Sequence, residues 1–199
     1  MADRPPPGAA LRDACVVEAL RVIASEGLEA LSLRAVARRL GVSHQAPYKH
    51  FPSRDHLLAE AIRRCLQDFA RDLRSAGEGL DAEAAMQGLG RAYLGYARAR
   101  PLEYRLMFGT PWPEAARDLD LEEDARAAFD VLCDRLGAVR PDLSGAGLDR
   151  EAMFVWSVMH GVAGVLESGS MRYLGMDAVE QDASVAHVMG VVDDVIRRG

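Results

Sequence analysis

The stretch Leu33–Phe51, LRAVARRLGVSHQAPYKHF, most constrains how this chain can fold. Leu33, Val36, Ala37 and Leu40 recur at helical spacing, and Ser32 stands ahead of them as an N-cap able to accept an orphan backbone N–H. Gly41 predicts the end of that helix, because glycine enters the left-handed region without a Cβ clash. Val42 can fill the angle to a second helix, capped by Ser43, running through His44–His50 and closed by Phe51 and Pro52. If the first helix and Val42 hold the second, then His44, Gln45, Tyr48 and Lys49 project outward, and such side chains suit the base edges and phosphates of a DNA major groove. Pro47 is the irregular member. At the fourth helical position after Ser43 it lacks the N–H of the first intrahelical bond and its ring crowds the Ser43 carbonyl, which predicts a second helix that starts late or distorted.

Charge supports that reading only when it is resolved along the chain. The 199 residues carry a net charge of −6, which alone argues against a phosphate-binding protein. Residues 33–56, however, hold Arg34, Arg38, Arg39, Lys49 and Arg54 against Asp55 alone, a net +4, so the remainder carries −10. That asymmetry is expected of a basic reading head on an acidic body.

Several functional classes are excluded at this level. Cys15, Cys65 and Cys133 show no metal-type spacing and read as small core residues in a reducing compartment. His44, His50 and His56 recur every six residues, which scatters them around helix and turn and predicts no metal site. No apolar run approaches the roughly 18 residues of a membrane span, and the start MADRPPPGAA lacks the apolar segment of a signal peptide, so a cytoplasmic chain with no membrane partner is expected. No nucleophile elbow, Walker loop, HExxH or paired-carboxylate arrangement occurs, and no enzyme activity or cofactor is expected.

Elsewhere the periodicity is helical throughout, with no alternating stretch long enough for a strand. The expected fold class is all-α, and 49% hydrophobic content is ample for a core. After a proline-rich leader, residues 1–10, a stripe from Leu11 to Ile23 predicts a first helix ending near Gly27. Ser53 caps a longer helix to about Leu73, and Asp81 opens another that must end before Pro101. Pro101 can begin a short helix to Phe108. A further helix follows, broken around Asp118–Asp120, then a loop over 141–147. The division expected is a helix-turn-helix domain at 11–56, a connecting helix at 57–78 and a helical ligand-binding and dimerisation domain at 79–199.

The last two helices bear on assembly. The segment from about Asp149 to Glu167 is apolar on nearly all sides, which predicts burial all round, and the segment from about Val179 to Arg198 shows one apolar seam. Val158, Gly161, Val162 and Val165 on the first, with Val185, Val188, Met189, Val192, Val195 and Ile196 on the second, are the candidate dimer contacts. Gly161 and Gly164 each cost about 1 kcal/mol relative to alanine, which a close helix approach across a dimer would offset. Tyr93, Tyr96, Tyr104, Met107, Phe108, Phe129, Met153, Trp156 and His160 are the candidate lining of a small-molecule pocket, with Trp112 a further aromatic near them. Trp156 and His160, four apart on one helix face, can converge beside an apolar cavity; the competing reading is a satisfied core histidine.

The order of helix, SLRAVARRLGVSHQAPYKHFPSRDHLL and all-helical body resembles the TetR family of bacterial transcriptional regulators. Pro101, Tyr104, Arg105, Met107, Phe108 and the W-x-x-x-H-G of Trp156, His160 and Gly161 resemble its subgroup named for a Trp-His-Gly C-terminal domain. The resemblance implies a homodimer whose N-terminal domains read the halves of a palindromic operator in double-stranded DNA. It also implies a C-terminal pocket whose occupation releases that DNA. By motif position, Ser43 opens the reading segment, His44, Gln45 and Ala46 fall where bases are contacted, and Arg34 can reach a base or a phosphate. Tyr48, Lys49, His50 and Arg54 fall at phosphate positions. The expected function is a repressor released by a small, largely apolar or aromatic effector; activation, or regulation without an effector, stays open.

Overall fold

The structure is a computed structural model describing residues 8–198, and these residues contain no strand. Among the described residues nine α-helices follow one another: α1 Gly8–Glu26, α2 Leu33–Leu40, α3 Arg54–Ser75, α4 Ala82–Ala99, α5 Pro101–Phe108, α6 Leu121–Val139, α7 Ala146–Ser168, α8 Ser170–Tyr173 and α9 Ala178–Arg198. The all-α expectation is met. Of the leader expected at 1–10, residues 8–10 already belong to α1, and residues 1–7 lie outside the described residues.

Local signals set the boundaries. The Ser32 hydroxyl accepts from Ala35 N at 3.1 Å and caps α2. Gly41 ends that helix at φ 65°, its N–H directed to the Ala37 and Arg38 carbonyls. Ser53 accepts from His56 N at 3.3 Å at the start of α3, and Asp81 accepts from Ala84 N at 2.8 Å at the start of α4. Pro101 begins α5 directly after α4 ends. The break expected near Asp118–Asp120 is a 3-10 turn, Glu114–Leu119, followed by Asp120 at φ 51° and then α6.

The chain divides into two compact units. The first comprises the residues up to Cys65 together with 105–124, and the second comprises 66–104 with 125–199. The division falls inside α3, the stretch expected to connect head and body at 57–78, and the segment 105–124 belongs with the first unit. In the first unit Val22, Val36, Leu57 and Ile62 are fully buried. In the second, Phe69, Leu73, Leu136 and Ile196 are. No helix of the described residues is long and apolar enough to cross a membrane.

Two expectations for the last helices require correction. α7 is not buried on all sides: Ala152, Val155, Met159 and Ala163 face the core, while Met153, Phe154 and Val165 are 53%, 43% and 40% exposed. Composition shows that a helix is apolar all round but not how many neighbours its own chain supplies. The seam of α9 also divides. Val192 and Ile196 are 4% and 2% exposed, filled against the second unit itself, so they are unavailable to a partner. Val195 is 39% exposed. Burying an unpaired carboxylate is costly, whereas a change at an exposed site is close to neutral. Val192→Asp is therefore expected to destabilise the chain by about 3 kcal/mol or more in urea denaturation, and Val179→Asp, at a position 76% exposed at the start of α9, by less than about 0.5 kcal/mol.

Candidate nucleic-acid interface and aromatic core site

The turn after α2 is built by three backbone bonds. Gly41 N donates to Arg38 O at 3.3 Å, Val42 N to Ala37 O at 3.1 Å and Ala46 N to Ser43 O at 2.9 Å. The second helix expected over 44–50 is absent as an α-helix: residues 44–46 form a turn and Pro47–Lys49 a 3-10 turn, with Lys49 N bonded to Ala46 O at 3.3 Å and His50 N to Pro47 O at 2.9 Å. The cause is Pro47, which has no N–H to donate to Ser43, so that the Ser43 carbonyl turns to Ala46 instead. Pro47 is buried, and the segment is anchored at its end by Phe51, 2% exposed.

This anchored turn displays Ser43, His44, Gln45, Tyr48 and Lys49 to solvent, with Ala46 and His50 half-buried. The His50 ring packs edge-on against Phe51 at 6.4 Å. On α2, Arg34 and Arg38 are exposed. Among the described residues neither they nor Lys49 has an ion-pair partner. Arg38 was counted in the head's charge but not among the contact candidates; its spacing of four from Arg34, which puts both on one helix face, was the available signal.

Arg54, expected to reach a phosphate, is otherwise engaged. Its Nε donates to Leu31 O at 3.1 Å and its Nη2 to Leu28 O at 2.9 Å, fixing the short 3-10 turn Leu28–Ala30 to the start of α3. Arg39 is likewise engaged with Glu18 at 3.4 Å, Glu26 at 3.2 Å and Ser25 at 3.0 Å. The head therefore separates its cations into those that set its geometry and those left free to meet an anion.

In the second unit the aromatic candidates Tyr93, Tyr96, Tyr104, Phe129, Trp156 and His160 gather around Phe69. Ring centroids lie 4.9 Å apart for Phe69–Tyr96, 5.6 Å for Tyr93–Trp156, 5.7 Å for Phe129–Trp156 and 5.2 Å for Trp156–His160. Met107 and Phe108 instead belong to the first unit, and Met153 is exposed. At the centre the Tyr93 and Tyr104 hydroxyls lie 3.0 Å apart, and both bond to His160 Nδ1, the Tyr104 bond at 2.6 Å. Burial pushes both tyrosine pKa values up, with the neighbouring Tyr104 adding to the rise at Tyr93, and holds His160 below its ordinary value. The trio is neutral, a satisfied polar network inside an aromatic core.

Beside it lies a cavity of about 20 Å³, room for about one water, whose wall includes Tyr93 and Trp156 but none of the other candidates. Met189 and Asp193, on α9, also line it. Met189 was read from the sequence as a dimer contact, and Asp193 was missed; an acid on the inward stripe of α9 was the signal for the latter.

A small helical head with an exposed, anchored turn, followed by an all-helical body, defines a helix-turn-helix regulator. Residues 16–61 match the family described as bacterial regulatory proteins, tetR family, and residues 86–192 match the tetracyclin repressor-like C-terminal domain. The chain belongs to the TetR family of DNA-binding transcriptional regulators. It is 28% identical over 176 residues to an uncharacterised HTH-type transcriptional regulator of Mycobacterium tuberculosis, covering 86% of this chain and 77% of that one. It is also similar to a protein of unknown function from Rhodococcus sp. RHA1, with a TM-score of 0.76, 26% identity and coverage of 99% and 98%. A candidate regulatory protein, SCO4313, gives a TM-score of 0.72, 30% identity and coverage of 95% and 100%.

Because the folded state depresses the His160 pKa below 6.5, the unfolded chain takes up the proton first as pH falls. His160 therefore weakens folding below about pH 6.5 and has no such effect above it. Between pH 8 and pH 5.5 the wild type is expected to lose more thermal stability than His160→Gln, which keeps an acceptor but does not titrate; equal losses would show that this ring does not titrate on unfolding.

Proposed function

We propose that this regulator is a homodimeric repressor that binds a palindromic operator through residues 43–50 and is released when a small, largely apolar molecule occupies its C-terminal unit. The observation that carries the reading is the pairing of an anchored, solvent-facing turn with uncommitted donors at Gln45, Lys49, Arg34 and Arg38. Gln45 supplies the amide that can bond an adenine edge in two places, and the cations meet phosphates. His44 and Ser43 stand beside Gln45; Tyr48 and His50 are placed for backbone contacts.

Dimerisation is supported by the apolar surface that the single chain leaves uncovered. Phe154 and Val165 on α7 and Val191 and Val195 on α9 are 43%, 40%, 47% and 39% exposed. A methyl group added at Gly161 or Gly164 would meet nothing within 4 Å, so α7 leaves an open groove there for another helix to approach. Two heads held by such a seam would meet successive major grooves, whose centres lie about 34–36 Å apart. Effector control needs a ligand that prefers the state in which the heads are wrongly spaced. The W-x-x-x-H-G of Trp156, His160 and Gly161 supports reading that C-terminal unit as one of the Trp-His-Gly subgroup.

Gln45→Ala is expected to cost about 1–3 kcal/mol on operator DNA and little on random duplex, relaxing preference at one position of each half-site. Lys49→Ala is expected to weaken both alike and to shallow the salt dependence by about one unit of slope. Fluorescence anisotropy at several salt concentrations reads both. Equal losses from Gln45→Ala on the two DNAs would remove Gln45 from base recognition.

A further inference from the structure

The small cavity of the second unit holds about 20 Å³, too little for any effector, yet a groove of about 510 Å³ lies beside it between α4 and α9. The second volume falls within the range of small-molecule sites, roughly 300–1,000 Å³. Met189 and Asp193 belong to the walls of both spaces. The terminal methyl of Met189 rests on the bare backbone of Gly90, in the place a β-carbon there would need. A methionine has three rotatable bonds and repacks readily, so this side chain, shared by both walls, can change its position without moving a helix.

The chemistry of the inner end of the joined space is one-sided. Asp193 is the only charged side chain in the wall of the inner cavity, which is otherwise lined by leucine, valine, methionine, glycine and aromatic residues. Its Oδ2 accepts from Gln87 Nε2 at 3.0 Å, and no other bond to it exists among the described residues. Outside, Arg91, Arg98 and Asp182 all line the groove, Arg98 paired with Asp182 at 3.0 Å and Arg91 exposed to solvent. An anionic head reaching that inner end with its apolar tail would be repelled by the Asp193 carboxylate. A cationic head would pair with it through a charge-assisted bond.

We propose that Met189 is a movable partition and that its displacement admits a small apolar amine whose ammonium group pairs with Asp193. The proposal rests on the effector reading above and gives that effector a chemical class and an entry route.

The test uses n-hexylammonium, hexanoate and hexan-1-ol as matched probes on the full chain, followed by calorimetry and by Trp156 fluorescence, since that indole lines the cavity. The amine is expected to bind at least about tenfold more tightly than the acid or the alcohol. Asp193→Asn should lose that advantage while leaving alcohol binding unchanged, and Met189→Ala should speed amine association in stopped-flow measurement. Acid or alcohol binding as tight as the amine, or an unaffected Asp193→Asn, overturns the ligand class but leaves an effector pocket standing. An unchanged association rate in Met189→Ala overturns the partition, and no binding by any probe overturns both. Operator release is read separately: an amine that binds as expected but leaves DNA affinity unchanged contradicts the repressor reading and not this one.

Discussion

Two carboxylates buried in a very small head, Glu18 at 8% exposure and Glu60 at 6%, dictate how its helices meet. Each must be paired, because removing one partner of a buried pair costs about 3–5 kcal/mol. Glu18 on α1 draws Arg39 from α2, to 3.4 Å. Glu60 on α3 takes Arg12 from α1 through two contacts, at 2.9 and 2.8 Å. Arg54 adds its clamp on the Leu28 and Leu31 carbonyls. The three helices are thereby cross-linked by side chains whose geometry is specific, where a purely apolar contact would tolerate sliding. The exposed turn at 43–50 inherits its position from that frame.

The same pairing selects which cations remain available to DNA. Arg12, Arg39 and Arg54 are held by the head itself, which leaves Arg34, Arg38 and Lys49, on α2 and at the turn, without an ion-pair partner among the described residues. Against a body with an excess of carboxylates, such a local patch is what the proposed reading uses to orient the protein on a duplex. The second unit solves a different problem. Its centre is an aromatic cluster that buries two hydroxyls and an imidazole, and these satisfy one another as neutral groups rather than recruiting a charge. Next to it lies a methionine-lined wall, where Met86, Met159 and Met189 border the cavity.

Features governed by neighbouring residues were legible in the sequence: the Ser32 cap, the Gly41 stop, the α4–α5 junction at Pro101 and the break before α6. Pro47 was legible as a disturbance, though the pattern alone did not show that it would replace the helix with 3-10 geometry. Features decided by distant parts of the chain were not legible. An arginine at a phosphate-contact position, Arg54, looks the same in sequence whether its donors face solvent or backbone carbonyls. The apolar seam of α9 gave no means of separating Val192 and Ile196, which fill the chain's own core, from Val195, which does not. Aromatic spacing brought most of the pocket candidates to one cluster, but it could not show that the cavity beside them would be bounded by Met189 and Asp193.

Selection of bound fragments from a random duplex library tests the central claim, that a dimer of anchored heads reads DNA, most directly. The account predicts an inverted repeat whose half-site centres lie one helical turn apart, about 34–36 Å, or a multiple of it. Fragments with no shared sequence, or a single asymmetric site occupied by one protomer, would contradict it.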